Sequence, residues 1–109
     1  MYGTSVKLVK NSADFIGLNY YTHVLTSPFL PQTTEIDLPA RKHETVTEFG
    51  YTMYPEGMIR ATKWLSKLKI PIEVTENGVA DANDSLRPKH IEMHLWMISK
   101  LIADNVNIR

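Results

Sequence analysis

The residue best placed to do chemistry is Glu76, which ends the run Ile72-Glu73-Val74-Thr75-Glu76 and is followed directly by Asn77-Gly78. A β-branched run of this length reads as a buried strand from Ile70 to Thr75, and Asn-Gly supplies the turn that stops it. In parallel α/β sheets, ligands and reacting groups collect at the carboxyl ends of the strands. A carboxylate there is costly to bury unless it is paired or hydrogen-bonded. Position alone leaves two roles open: a catalytic carboxylate, or a strand-end group that forms an ion pair or faces solvent. Strict alternation would put Glu76, Val74 and Ile72 on one face and Thr75 and Glu73 on the other. If Glu76 points inward, Glu73 points toward the helices and needs a basic partner there.

Other polar residues are grouped where they could serve the same centre. Asn19, Tyr20 and Tyr21 close a second apolar run. The tyrosines alternate, so only one can share the interior with Glu76. A phenol donating to that carboxylate would orient it and favour its charged form. Asn19 could offer its amide to a ligand hydroxyl, or satisfy backbone groups at the strand end. Glu56 opens a helix and needs no catalytic explanation. His90 and His94 lie four apart on one helix face, but their order is His-Ile-Glu-Met-His rather than the His-Glu-x-x-His of zinc proteases. With no third ligand evident, no metal site is expected.

The elements that position these residues read in the order strand, long loop, helix, strand, loop, helix. Asp14 to Tyr21 forms the first strand, apolar enough to be covered on both faces. A long irregular segment runs from Thr22 to about Tyr54, broken by Pro28, Pro31 and Pro39. Pro55-Glu56-Gly57 opens a helix over about 55–68, with Met58, Ala61, Thr62, Leu65 and Leu68 at helical spacing. After the second strand, Pro88 starts another helix whose apolar stripe is Ile91, Leu95, Ile98 and Ile102, widened by Met97 and Leu101. Trp64 and Trp96 are expected to pack into the core or against the sheet. Asn105 to Arg109 could lead into a further strand. This βαβα order is α/β with a parallel sheet. Two helices cover roughly one face of it, so the chain reads as part of something larger.

Composition narrows the function classes. The 109 residues are 43% hydrophobic and 22% charged, enough to bury a core. Twelve basic and twelve acidic side chains give a formal net charge of zero. No broad attraction to nucleic acid or to an anionic membrane is therefore expected. No apolar run is long enough to span a bilayer. The chain has no cysteine, which excludes disulfides and thiolate chemistry. That fits a reducing compartment such as the cytoplasm without fixing one. No phosphate-binding glycine loop or nucleophile elbow is present.

Several motifs in order carry a family resemblance. Ile72 to Gly78 resembles the (Ile/Val)-Thr-Glu-Asn-Gly signature of glycoside hydrolase family 1, the β-glucosidase-like enzymes. Asp14-Phe15-Ile16-Gly17-Leu18-Asn19-Tyr20-Tyr21-Thr22 is similar to that family's sixth-strand motif. Met53-Tyr54-Pro55-Glu56-Gly57 and Leu86-Arg87-Pro88 resemble the openings of its next two helices. The resemblance implies a (β/α)₈ TIM barrel that hydrolyses β-linked glycosides with retention of configuration, without cofactor or metal. It implies that Glu76 is the nucleophile, that Tyr21 orients it, and that Asn19 binds substrate. Thr75 and Asn77 would hold the strand end and turn.

The departures from the family pattern shape the expectation further. The family's acid/base glutamate, in a Thr-x-Asn-Glu-Pro-like motif, is absent, as are its N-terminal and eighth-strand sugar-binding residues. Glu73 stands where relatives often carry an aromatic or apolar residue. The chain is therefore expected to be a fragment, 1–109, of a single glycosidase barrel, about two βα units with a long loop. It would span roughly strand six to the end of helix seven and be inactive alone. The alternative is a non-catalytic carbohydrate-binding or structural derivative of the fold. An unrelated small α/β interaction domain is a third reading, and it predicts a cooperative monomer. Oligomeric state is left open.

Overall fold

The computed structural model describes residues 13–24 and 43–109. Expectations for Met1 to Ser12 and for the proline-bearing stretch 25–42 lie outside those residues. The described elements are β1 (Ile16–Asn19), α1 (Glu56–Leu65) running into a 3₁₀ turn (Ser66–Leu68), β2 (Ile72–Glu76) and α2 (Arg87–Ala103). The two strands pair in parallel. The class is thus α/β with a parallel sheet.

Local chemistry accounts for the boundaries. Pro55 caps α1 with φ −63°, the value its ring imposes, and Glu56 meets the positive end of the helix dipole. Lys69 closes the 3₁₀ turn in the left-handed region at φ 57°, and Pro71 follows. α2 carries Pro88 in its first turn and ends with Asn105 at φ 58°. There Val106 N–H donates to Leu101 C=O at 3.0 Å and Asn105 N–H to Ile102 C=O at 2.9 Å. That pair of bonds is a Schellman stop, which asparagine tolerates better than most residues. β1 is shorter than the expected Asp14–Tyr21, because regular pairing breaks after Leu18.

The core lies between the sheet and the helices: Leu18, Tyr20, Met58, Ile72, Leu101 and Ile108 pack together, with Ile16 and Val74 against them. Ile72 and Val74 therefore point toward the helices, the reverse of the expected parity. Gly17, Asn19 and Thr75 lie on the opposite, open face and are exposed. Glu73 pairs with Gly17 on that face and takes Arg109 as partner, Nη2 to Oε1 at 2.8 Å. An ion pair this accessible contributes about 0–1 kcal/mol. Asn107 to Arg109 adds to the far side of β2: Ile72 N–H donates to Asn107 C=O and Arg109 N–H to Ile72 C=O, both at 2.9 Å.

α2 turns a different face inward from the one expected. His90, His94, Met97 and Leu101 are buried, whereas Ile91, Leu95 and Ile102 are about half exposed. Of the expected stripe Ile98 packs against the core, and Met97 and Leu101, expected to widen it, are buried. The two stripes are one residue apart, so a helix that is apolar over a wide arc offers both. Trp64 and Trp96 are exposed as well, which corrects their expected core role. Trp96 instead carries the Lys100 ammonium 4.0 Å from its ring centre.

Gly57 admits α1 to the sheet. Tyr20 is buried and its hydroxyl donates to Tyr54 C=O. A methyl group on Gly57 would overlap Tyr20 Oη and come within 2.9 Å of Tyr54 Cδ1. Neither ring is free to yield, since the Tyr20 hydroxyl is tied to the Tyr54 backbone and the Tyr54 ring packs on His23, centres 4.1 Å apart. Gly57→Ala should thus destabilise the fold by about 1–3 kcal/mol despite alanine's better helix propensity. A denaturant titration reads this as a lower midpoint.

Candidate active site

A one-residue irregularity builds the site. Leu18 pairs with Val74, but Asn19 pairs with Glu76, so β2 spends one residue more than β1. In a parallel pair, opposed residues share a face, and a bulge re-aims the side chains beyond it. Thr75 and Glu76 consequently both belong with Asn19 and Tyr21. Thr75 Oγ1 donates to Asn19 Oδ1 at 2.6 Å. The Tyr21 hydroxyl donates to Glu76 Oε2 at 2.7 Å. Tyr20 turns the other way, into the core. The hydrogen bond to the Glu76 carboxylate, then partial burial, holds the Tyr21 phenol above its ordinary range.

The turn after Glu76 is tied to three elements. Tyr20 N–H donates to Glu76 C=O at 2.9 Å, and Asn77 Nδ2 donates to Tyr20 C=O at 2.7 Å. Asn77 Oδ1 lies 3.0 Å from His90 Nε2 on α2. Farther on, Asp81 Oδ2 accepts from Leu86 N–H at 2.6 Å and Arg87 N–H at 3.0 Å. Burial pushes the Asp81 carboxyl up, but these amides and Ser85 outweigh it and hold it below the usual range. Asp81 thereby satisfies two amides that the start of α2 would leave orphaned.

A hairpin-like segment leans over this turn. Val46 bridges Thr52 in antiparallel fashion, with Gly50 at φ 80° in the turn. Thr22 Oγ1 donates to Thr52 C=O at 2.8 Å and Ala82 N–H to Glu48 Oε2 at 3.1 Å, joining the segment to both strand ends. Between them lies a cavity of about 500 Å³, lined among others by Tyr21, Phe49, Tyr51, Asn77 and Gly78. Glu76 does not line it; the cavity sits beside the Tyr21–Glu76 pair, with an aromatic wall.

Two residues in this arrangement were not legible as site residues. His90 reads in sequence only as one of a helical pair, and nothing in the local pattern marks Asp81. The signal for His90 was a polar residue that had to be buried or exposed by the choice between adjacent stripes. Among the described residues no group of three or more His, Cys, Asp or Glu side chains is arranged to hold a metal ion. No helix among them is long and apolar enough to cross a membrane.

The fold that carries this strand-end pair is similar to those of solved glycosidases. The solved β-glucosidase of Pyrococcus furiosus superposes with a TM-score of 0.75 at 29% identity, over 88% of this chain and 22% of that one. The β-glycosidase of Pyrococcus horikoshii superposes with a TM-score of 0.71 at 35% identity, over 89% of this chain and 23% of that one. In sequence, the β-galactosidase of Pyrococcus woesei is 31% identical, matching 88% of this chain and 22% of its own length. A model of glycosyl hydrolase family 1 matches residues 3–109, and the chain belongs to that family. It spans under a quarter of the length of these relatives.

The buried histidines make stability depend on pH. Burial first, then the charges of His94 and Arg87, push His90 down to about 4, and burial lowers His94 too. The unfolded chain then binds protons that the folded chain refuses. The stabilisation is complete above the ordinary histidine value and is lost as pH falls through the folded value. Between about pH 6.5 and 5, above the carboxylate range, stability should decline by up to about 1 kcal/mol per pH unit for each histidine involved. Denaturant midpoints across that window should fall in the native chain and flatten in His90→Phe.

Proposed function

We propose that this chain supplies the nucleophile side of a retaining β-glycosidase active site, within a (β/α)₈ barrel of which residues 1–109 form about two βα units. The observation that carries this reading is the Tyr21 hydroxyl on Glu76 at the carboxyl end of a parallel strand pair. The open face of that pair supports the barrel, as do the exposed Ile91, Leu95, Trp96 and Ile102 on α2. Such surfaces suit further strands inside and further helices outside.

In this reading a Glu76 carboxylate oxygen attacks the anomeric carbon as the glycosidic carbon–oxygen bond breaks. A second carboxyl group, outside these residues, protonates the departing oxygen. Water then attacks the glycosyl ester, the second group now taking its proton, and Glu76 leaves as carboxylate with configuration retained. The two groups would stand about 5–5.5 Å apart. Tyr21 holds Glu76 in its attacking orientation. Asn19, whose Oδ1 is engaged by Thr75, offers its amide nitrogen to a sugar hydroxyl. The substrate class is a β-linked glucoside or galactoside, as the names of the relatives suggest, and no cofactor takes part.

In the intact protein, Glu76→Ala should lose aryl β-glucoside hydrolysis by several orders of magnitude. Azide should restore turnover and give the α-glycosyl azide, because the small anion takes the nucleophile's place on that face. Hydrolysis that survives the substitution, or an absence of azide rescue, rejects the assignment of Glu76; an intact native protein that hydrolyses no glycoside is instead a carbohydrate-binding derivative. The 109 residues alone should not hydrolyse the glycoside. Hydrolysis by the pure chain, abolished in Glu76→Gln, would disprove the need for a second carboxyl group. Tyr21→Phe should lower kcat/KM about ten- to a hundredfold, the value of a hydrogen bond to a charged group.

A further inference from the structure

We propose that His90 is a positioning residue for the nucleophile: by fixing the Asn77 side-chain amide from the helix layer, it sets the spacing between Tyr21 and Glu76. The inference rests on the glycosidase reading of Glu76 and adds to it a residue from α2.

The geometry is a closed set of links beyond the bulge. Tyr20 N–H donates to Glu76 C=O at 2.9 Å, and Asn77 Nδ2 returns the tie to Tyr20 C=O at 2.7 Å. The Asn77 amide thus replaces the next rung of a ladder that the strands no longer make. The residues it joins, Tyr20 and Asn77, are the chain neighbours of the functional pair, Tyr21 and Glu76. A change in that amide's orientation alters the one distance, 2.7 Å, that couples the phenol to the carboxylate.

His90 holds that orientation from the helix side. Tyr20 C=O only accepts, so Asn77 must present Nδ2 to it and Oδ1 to His90. Oδ1 only accepts in turn, so His90 Nε2, 3.0 Å away, carries the proton. His90 Nδ1 is buried without a hydrogen-bond partner among the described residues. A proton there would be a stranded donor, whereas a bare lone pair is tolerated more cheaply. The tautomer is therefore set by the surroundings. His94 braces the ring: its Nδ1–H donates to His90 C=O at 2.8 Å, and the two ring centres lie 4.0 Å apart. Both histidine side chains are almost fully buried, at 2% and 3% exposure, so Asn77, itself exposed, is held from its buried side.

The test reads the nucleophile by itself. In the intact protein, 2,4-dinitrophenyl 2-deoxy-2-fluoro-β-glucoside forms the bond from a Glu76 oxygen to the anomeric carbon as dinitrophenolate departs with the bonding electron pair. No proton donor is needed, so the labelling rate reports attack by Glu76 alone. His90→Phe should slow the limiting rate about two- to tenfold, the range of one neutral hydrogen bond, with half-saturation unchanged. His90→Gln, which restores an N–H donor, should recover most of the loss. The Phe substitution should add nothing to Tyr21→Phe in the double variant, because both act on one contact. A His90→Phe rate equal to wild type, losses that multiply with Tyr21→Phe, or a loss that Gln does not relieve would each overturn the proposal. Nitrogen-15 spectra of the unaltered protein test it without substitution, since a His90 proton on Nδ1 would also overturn it. If no label reaches Glu76, the glycosidase reading falls and takes this inference with it. If Glu76 is labelled but His90→Phe is not slowed, only the inference falls.

Discussion

The extra residue that β2 spends opposite Asn19 determines which side of the sheet carries Glu76. Without it, alternation would turn Glu76 toward Met58 and the helices, along the row that buries Ile72 and Val74. A carboxylate in that core would be unpaired and several kcal/mol out of place. With it, Glu76 joins Asn19 and Tyr21 on the open face, where a phenol meets it at 2.7 Å. The bulge carries its own requirement, since ladder bonds are lost where the strands fall out of step. Asn77 and the Tyr20 backbone replace them.

The same arithmetic explains what could and could not be read from the residues. The order of elements, the strand end at Glu76 and the need for one tyrosine to face away all follow from local patterning, and each is present in the fold. Side-chain parity did not follow, because period-two alternation assumes equal spending of residues in both strands. Whether a bulge intervenes depends on pairing with β1, more than fifty residues earlier, and no local pattern records it. Alternation therefore puts Glu73 on the wrong face, although its need for a basic partner is evident and Arg109 meets it.

The second helix failed for a related reason. Hydrophobicity favours the Ile91, Leu95, Ile98, Ile102 row, yet the row one residue earlier is buried. Each buried histidine has one ring nitrogen satisfied: His90 by Asn77, from elsewhere in the chain, and His94 by the His90 carbonyl one turn back on the same helix. Tyr20 stands 6.0 Å from His94 and completes the enclosure. Periodicity detects that a helix has a broad apolar arc, but tertiary partners select the direction it faces. The isoleucine row is then left as a second, exposed apolar surface.

Seen from Glu76, those misread features are connected. The bulge that re-aims the carboxylate creates the gap that Asn77 bridges, and the face that α2 buries brings His90 to Asn77. If α2 had turned its isoleucines inward, no donor would reach Oδ1, and the amide could rotate about its side-chain bonds. Tyr20, anchored through its hydroxyl to Tyr54 and seated over Gly57, fixes the other end of the bridge. The pair on the open face is accessible to solvent, so it cannot rely on enclosure by these residues for its geometry. Its precision must come from the backbone beneath it, and that backbone is held from the buried side by an asparagine, a neutral histidine and a glycine small enough to let the tyrosine in.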